Sequence, residues 1–205
     1  AALDAYDDHR RQTQSELERL SGRLPVVSRE LAPVEQSYEA STLLIASDAE
    51  YGAVGAETNA AAGTQKLAAS ELLRAAGEPT AQIERLLQQA AQAREQALVL
   101  QAEDYLREAA VTTAHSHQLL DHIEAHLQAI TAQSRENAIL LNRLADQSEK
   151  LLDFTRDPLV MQPTLAALDA MHRSLDGWKR ELSAKQLARN PFEVAHSLDE
   201  LHQQL

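Results

Sequence analysis

The chain has 205 residues, of which 44% are apolar and only 3% aromatic, and its 31 acidic and 19 basic side chains leave a formal charge of −12. With no cysteine, disulfides, Cys-based zinc sites and thiol chemistry are excluded. The negative charge repels phosphate backbones and anionic headgroups, the basic residues form no stripe, and one Trp, four Tyr and two Phe are too few for a base-stacking platform.

Six Gly and six Pro in a chain rich in Ala, Leu, Gln, Glu and Arg leave too few turn formers for a sheet protein. The first periodic stretch runs Tyr6, Arg10, Thr13, Leu17, Leu20, Leu24, Val27, Leu31, Val34, Tyr38, Ser41, Ile45. Its alternating steps of four and three are the seam of a coiled-coil-like helix. Ser21, Gly22 and Pro25 interrupt it, which predicts a kink or short break near 21–25. Residues 47–63, with Gly52, Gly55 and Gly63, read as a loop, and Asn59 to Ala76 reads as an Ala-rich helix stopping at Gly77, the residue type favoured just past a helix end. Pro79 then suits the first turn of a new helix.

From Thr80 to Asp157 there is neither Gly nor Pro. The apolar stripe runs Ile83, Leu87, Ala90, Ala97/Leu98, Tyr105, Ala109, and resumes as Ser116, Leu120, Ile123, Leu127, Ile130, Ser134, Asn137, Leu141, Leu144, Ser148, Leu151. A compact unit needs antiparallel neighbours, so a turn is predicted either at Val111-Thr112-Thr113, where β-branching lowers helix propensity, or in the polar Thr131–Asn137 stretch. An unbroken helix is the alternative. A further helix carries Leu165, Leu168, Met171/His172, Leu175, Trp178 and Leu182, with Trp178 read as core. Asn190-Pro191-Phe192-Glu193 has the make-up of a capping box, and the final helix shows Phe192, Val194/Ala195, Leu198, Leu201 and Leu205.

Candidate chemistry is sparse. His115, His117, His122 and His126 are half of the eight histidines. His122 and His126 are one turn apart, a spacing that can hold a transition metal, with His115 on a neighbouring line. The pair lacks the adjacent Glu of a His-Glu-x-x-His motif, and flanking Leu120, Ile123 and Leu127 take the core face, so a solvated face is expected there. Asp4, Asp7 and Asp8 suit a helix N-terminus rather than a calcium loop. No Gly-x-Ser-x-Gly elbow and no Gly-rich phosphate loop occurs. Ser134 and Asn137 are expected to form polar layers that fix register. No cofactor is expected, and no enzymatic activity.

Three segments carry a resemblance: Arg23-Leu24-Pro25 with Leu31 and Tyr38; Ala102-Glu103 with Leu119-Leu120-Asp121-x-Ile123-Glu124; and Asn190-Pro191-Phe192 running to Leu198-Asp199-Glu200-Leu201. They are similar to the R-L-P, A-E…L-L-D-x-I and D-P-L…L-x-x-x-D elements in the helical C-terminal region of actinobacterial TPM-domain membrane proteins. The resemblance implies a signal peptide, an extracytoplasmic TPM domain and one membrane helix upstream, with this part on the cytoplasmic side (an extracytoplasmic placement being the alternative). It transfers no functional residue, and the histidine cluster and Asn190 in place of Asp depart from the pattern.

The expectation is therefore an all-α fold. Residues 1–205 would form a single elongated antiparallel bundle of about five or six helices with coiled-coil-like packing, a fragment of a longer membrane-anchored protein. The function expected is a non-catalytic scaffold or interaction module whose helical surfaces bind a protein partner or a second copy. The alternative is a ligand-, pH- or metal-sensing bundle with the 115–126 histidines (His115, His122 and His126 as the metal candidates) or a seam polar layer as the responsive element.

Overall fold

A computed structural model describes residues 2–47, 65–154, 162–183 and 190–204. The fold is all-α: among the described residues there are six helices and a two-stranded antiparallel ribbon, in the order α1 (Ala2–Ser37), a short 3-10 turn (Ala40–Leu43), β1 (Leu44–Ser47), β2 (Gln65–Ala68), α2 (Ala69–Gly77), α3 (Thr80–Glu95), α4 (Val99–Phe154), α5 (Gln162–Ser183) and α6 (Pro191–Gln204). The chain forms two compact units, one built on residues 1–33 and 44–126 and the other on 34–43 and 127–205, and α4 contributes its first half to one and its second half to the other.

In the first unit α1 buries Tyr6, Thr13, Leu17, Leu20, Val27 and Leu31 of the predicted seam, with Leu24 half-buried and Arg10 exposed. The seam's last positions, Ser41 and Ile45, lie beyond the helix, Ile45 in β1. Chain direction follows from which residues meet. Tyr6 lies against Arg94, and Leu24 faces Gly77, so α2 and α3 run back along α1. Glu16 meets His117, and Arg23 meets Asp121 and Glu124, so α4 runs parallel to α1 as the third helix of an up-down-up bundle must. The core is completed by Ile83, Leu87 and Ala90 of α3 and by Leu106, Leu119, Leu120 and Ile123 of α4.

The second unit repeats the plan with new partners. Leu141 and Leu144 of α4, Leu175 of α5, and Val194 and Leu198 of α6 form one buried cluster. Ser148 meets His172 while Leu144 packs in the cluster with Leu175, so α5 runs back along α4. Asn137 meets Pro191 ahead of the Val194 and Leu198 layers, so α6 runs parallel to α4.

Several expectations are corrected. Of the kink or short break expected near 21–25 the break is absent: α1 is continuous there, with Pro25 and Pro33 inside it. Ser21, which loses its helical donor to Pro25, is exposed and open to water, while fully buried Leu20 and Val27 anchor the helix on either side. Residues 65–68 form a strand rather than part of a helix; they pair with 44–47 in the register Leu44↔Ala68 to Ser47↔Gln65, where no strand was expected. Most of the predicted 47–63 loop, and residues 59–64 of the predicted helix, lie outside the described residues, as do the side chains of Trp178, Leu165, Leu168 and Leu182.

The break in the 80–157 stretch comes earlier than predicted. α4 runs without interruption through 111–113 and 131–137, and the chain turns at Gln96–Leu98 instead. There Ala97 takes a left-handed backbone with φ 62°. Its N–H donates to Arg94 O at 3.1 Å and the Leu98 N–H reaches back to Ala93 O at 2.9 Å. These are the two bonds of a Schellman closure, with alanine where glycine is usual. Gly77 does not take that conformation; no described glycine has positive φ.

An L side chain in the left-handed region crowds its own carbonyl, so Ala97→Gly should stabilise the fold by about 1 kcal/mol. For a chain of this size that is an increase in Tm of about 2–4 °C. Thermal unfolding followed by circular dichroism checks it, and an unchanged or lower Tm would deny the left-handed turn.

Candidate functional site

Because α1 and α4 are parallel, the residues flanking their shared seam face each other at matching heights. On α1 the flank is His9, Gln12, Glu16, Arg19 and Arg23; on α4 it includes Ala110, Ala114, His117 and Asp121. Where the α4 side chains are small, the helices leave a groove of about 380 Å³, floored by the buried Thr13 and Thr113. Both hydroxyls donate to their own helix, to His9 O at 2.9 Å and to Ala109 O at 2.7 Å, so neither is directed at a ligand.

One end of the groove is closed by a polar cluster. Arg23 Nη2 donates to Asp121 Oδ1 at 2.6 Å and to Glu124 Oε2 at 3.0 Å, while its Nη1 lies 3.0 Å from His117 Nδ1. The other ring nitrogen, Nε2, lies 3.0 Å from the Glu16 carbonyl oxygen and 3.4 Å from its carboxylate. A guanidinium can only donate, so Nδ1 must be the bare nitrogen and Nε2 must carry the hydrogen. The cluster thus fixes one neutral tautomer of His117. Burial would lower the proton affinity of Arg23, but hydrogen bonds and charge from Asp121 and Glu124 outweigh it and hold the guanidinium above its ordinary pKa. Arg23 is three-quarters buried, with 22% of its side chain exposed, so this tie is less screened than the i,i+3 and i,i+4 pairs along the outer faces.

At the start of the unit Tyr6 is 6% exposed, and its hydroxyl has no hydrogen-bond partner among the described residues. Burial raises its pKa, opposed by the charges of Arg10 and Arg94, with Asp7 adding to the rise. Arg94 sits 5.2 Å from the ring centroid, a cation–π contact between α1 and α3. In the second unit Tyr38 OH and Ser134 Oγ are 2.7 Å apart, and the buried Asn137 donates to Pro191 O at 2.6 Å while accepting from Gln133 at 3.0 Å. These are the predicted polar layers, each tying two stretches of chain at one height. Asn190 caps α6 as its sequence suggested, accepting from the Phe192 N–H at 3.0 Å.

The four clustered histidines are half-buried rather than turned to water. The flanking Leu120, Ile123 and Leu127 do take the core, and His117 is met by Arg23 and Glu16 of α1. His115, His122 and His126 are not brought together as ligands: among the described residues no three His, Asp or Glu side chains gather to hold a metal ion. His117, which lacked the one-turn spacing, is the histidine the fold engages. Its signal lay in the pairing of Arg23 with Asp121 and Glu124, and periodicity on one helix does not show which flank of another helix it will meet.

No protein-family model, curated protein or solved structure matches the chain.

Proposed function

We propose that this chain is a non-catalytic helical scaffold or protein-interaction module, the soluble region of a membrane-anchored protein, acting through its helical surfaces on a protein partner or a second copy. The observation that carries the reading is how the polar side chains are used: Arg23, His117, Tyr38, Ser134 and Asn137 are all spent on ties between helices or to a helix end. Such ties hold surfaces in a fixed relation, which is what a module presenting helix faces requires. One of these ties joins two of the segments that carry the TPM-type resemblance, since Arg23 meets Asp121 and Glu124. Placement on the cytoplasmic side follows that resemblance; among the described residues no helix is long and apolar enough to cross a membrane.

The run Leu98-Val99-Leu100, 43–79% exposed, is a concentrated apolar element of this surface. Sedimentation of the chain over a wide concentration range tests the reading. The expected result is self-association that Leu100→Glu weakens at least tenfold. A strict monomer whose Tm rises with a small molecule or metal would instead support a sensor bundle, for which the groove beside His117 is the specific observation.

A further inference from the structure

We propose that His117 is a proton-operated clasp between α1 and α4: a proton from solvent bound at Nδ1 turns that atom from acceptor into donor and releases Arg23 from the imidazole. The proposal goes beyond the scaffold reading and concerns one ligand, the proton, at one atom. It is carried by geometry. Nδ1 sits 3.0 Å from an Arg23 nitrogen that cannot accept, and Nε2 already donates to the Glu16 carbonyl at 3.0 Å. Only one ring nitrogen is available to a second proton, and it is the one that Arg23 uses.

The surrounding charges decide which partner moves. On α1 the ring faces Glu16, whose carboxylate is 3.4 Å from Nε2, with Arg19 bound to that carboxylate at 3.3 Å and His9 further along the groove. On α4 it is joined by Asp121 one turn on, and by Glu124 through Arg23. The lining residues of this groove all belong to α1 and α4. Three carboxylates around one guanidinium and one imidazole favour keeping an imidazolium in place, so the two like charges separate by movement of Arg23. Arg23 retains Asp121 and Glu124 at its other nitrogen and swings away from α1's neighbour at His117, loosening the end of the groove that it closes.

Nitrogen NMR of the labelled full chain tests this between about pH 8 and about pH 5, the range over which histidines commonly change charge. At the upper end His117 is expected to show a bare Nδ1 and a protonated Nε2. On acidification Nδ1 should gain its proton, and the Arg23 side-chain signals should move with the same midpoint. In His117→Asn, whose side-chain oxygen keeps an acceptor near the Nδ1 position, the Arg23 signals should stay still over that range. A His117 ring protonated at Nδ1 at the upper pH overturns the proposal. So does an equal movement of Arg23 in His117→Asn, which would assign the titration to Glu16, Asp121 or Glu124. The wild-type tautomer is read without any variant, so the test survives a substitution that fails to fold. Sedimentation of the module and a thermal response to other ligands are independent of it.

Discussion

Thr112→Pro is expected to cost about 3 kcal/mol or more in urea unfolding, and Val99→Pro less than about 0.5 kcal/mol. Both place a proline in the Gly/Pro-free stretch, and the sequence alone would assign the larger cost to the wrong one. Thr112 lies well inside α4, where a proline removes the backbone donor to Glu108 and its ring strikes that residue's carbonyl. The native Thr112 hydroxyl also bonds Glu108 O at 2.8 Å, so the substitution loses two bonds to one acceptor. Val99 is the first residue of α4, just past the Ala97 turn, where a helix has no internal use for the N–H. Thr113, Ser116, Leu119 and Leu120 are all buried within the next two turns, so local unwinding at 112 also disturbs core packing. A cost below about 1 kcal/mol for Thr112→Pro would place a turn at 111–113 and remove the continuous α4.

The same residues show what the sequence could and could not reveal. From Ser116 to Leu151 every position assigned to the stripe is buried or half-buried, because a helix without Gly or Pro keeps its phase and Leu and Ile mark the face plainly. The turn was misplaced because propensity is worth only tenths of a kcal/mol per residue. Thr112, Thr113, Thr131 and Ser134 each donate to a carbonyl of their own helix, so the residues that looked weak are accommodated. Meanwhile the true turn uses alanine, which gives no signal, and the seven-residue gap from Ala90 to Ala97 did not mark it, since equal gaps from Leu98 to Tyr105 and Ala109 to Ser116 involve no turn within α4. The stripe misses only at the turn itself, and Tyr105 and Ala109 beyond it are half-buried and buried. Ala97 and Leu98 are exposed, and Ala102 and Leu106 take the buried places. The ribbon of β1 and β2 was hidden for a different reason: four residues per strand are too few for alternation to stand out. The polar cluster needed the parallel pairing of α1 with α4, a tertiary fact. Its members Arg23, Asp121 and Glu124 were visible only as parts of separate segments.

Leu198→Ala should cost about 2–5 kcal/mol, and Phe192→Ala, although it deletes the larger side chain, less than about 1 kcal/mol. Both residues lie on α6 and both belong to the apolar stripe read from the sequence. Leu198 is fully buried among Leu141, Leu144, Leu175 and Val194, whereas Phe192 is 41% exposed beside the capped start of the helix. α6 has 14 residues, a length at which an isolated helix is marginal in water, so its stability comes from docking on α4 and α5. Removing Leu198 leaves a cavity at the centre of that contact, and Leu201, only half-buried at its edge, cannot refill it. The Asn137 bond to Pro191 and the Asn190 cap still hold the first turn, so the loss should grow along the helix. Hydrogen exchange in Leu198→Ala is therefore expected to accelerate most from Val194 onward, with the amides of α1 and α3 unchanged. Equal costs for the two substitutions, or uniform acceleration across the chain, would mean that α6 is not held through the Leu141–Leu144–Leu175 cluster.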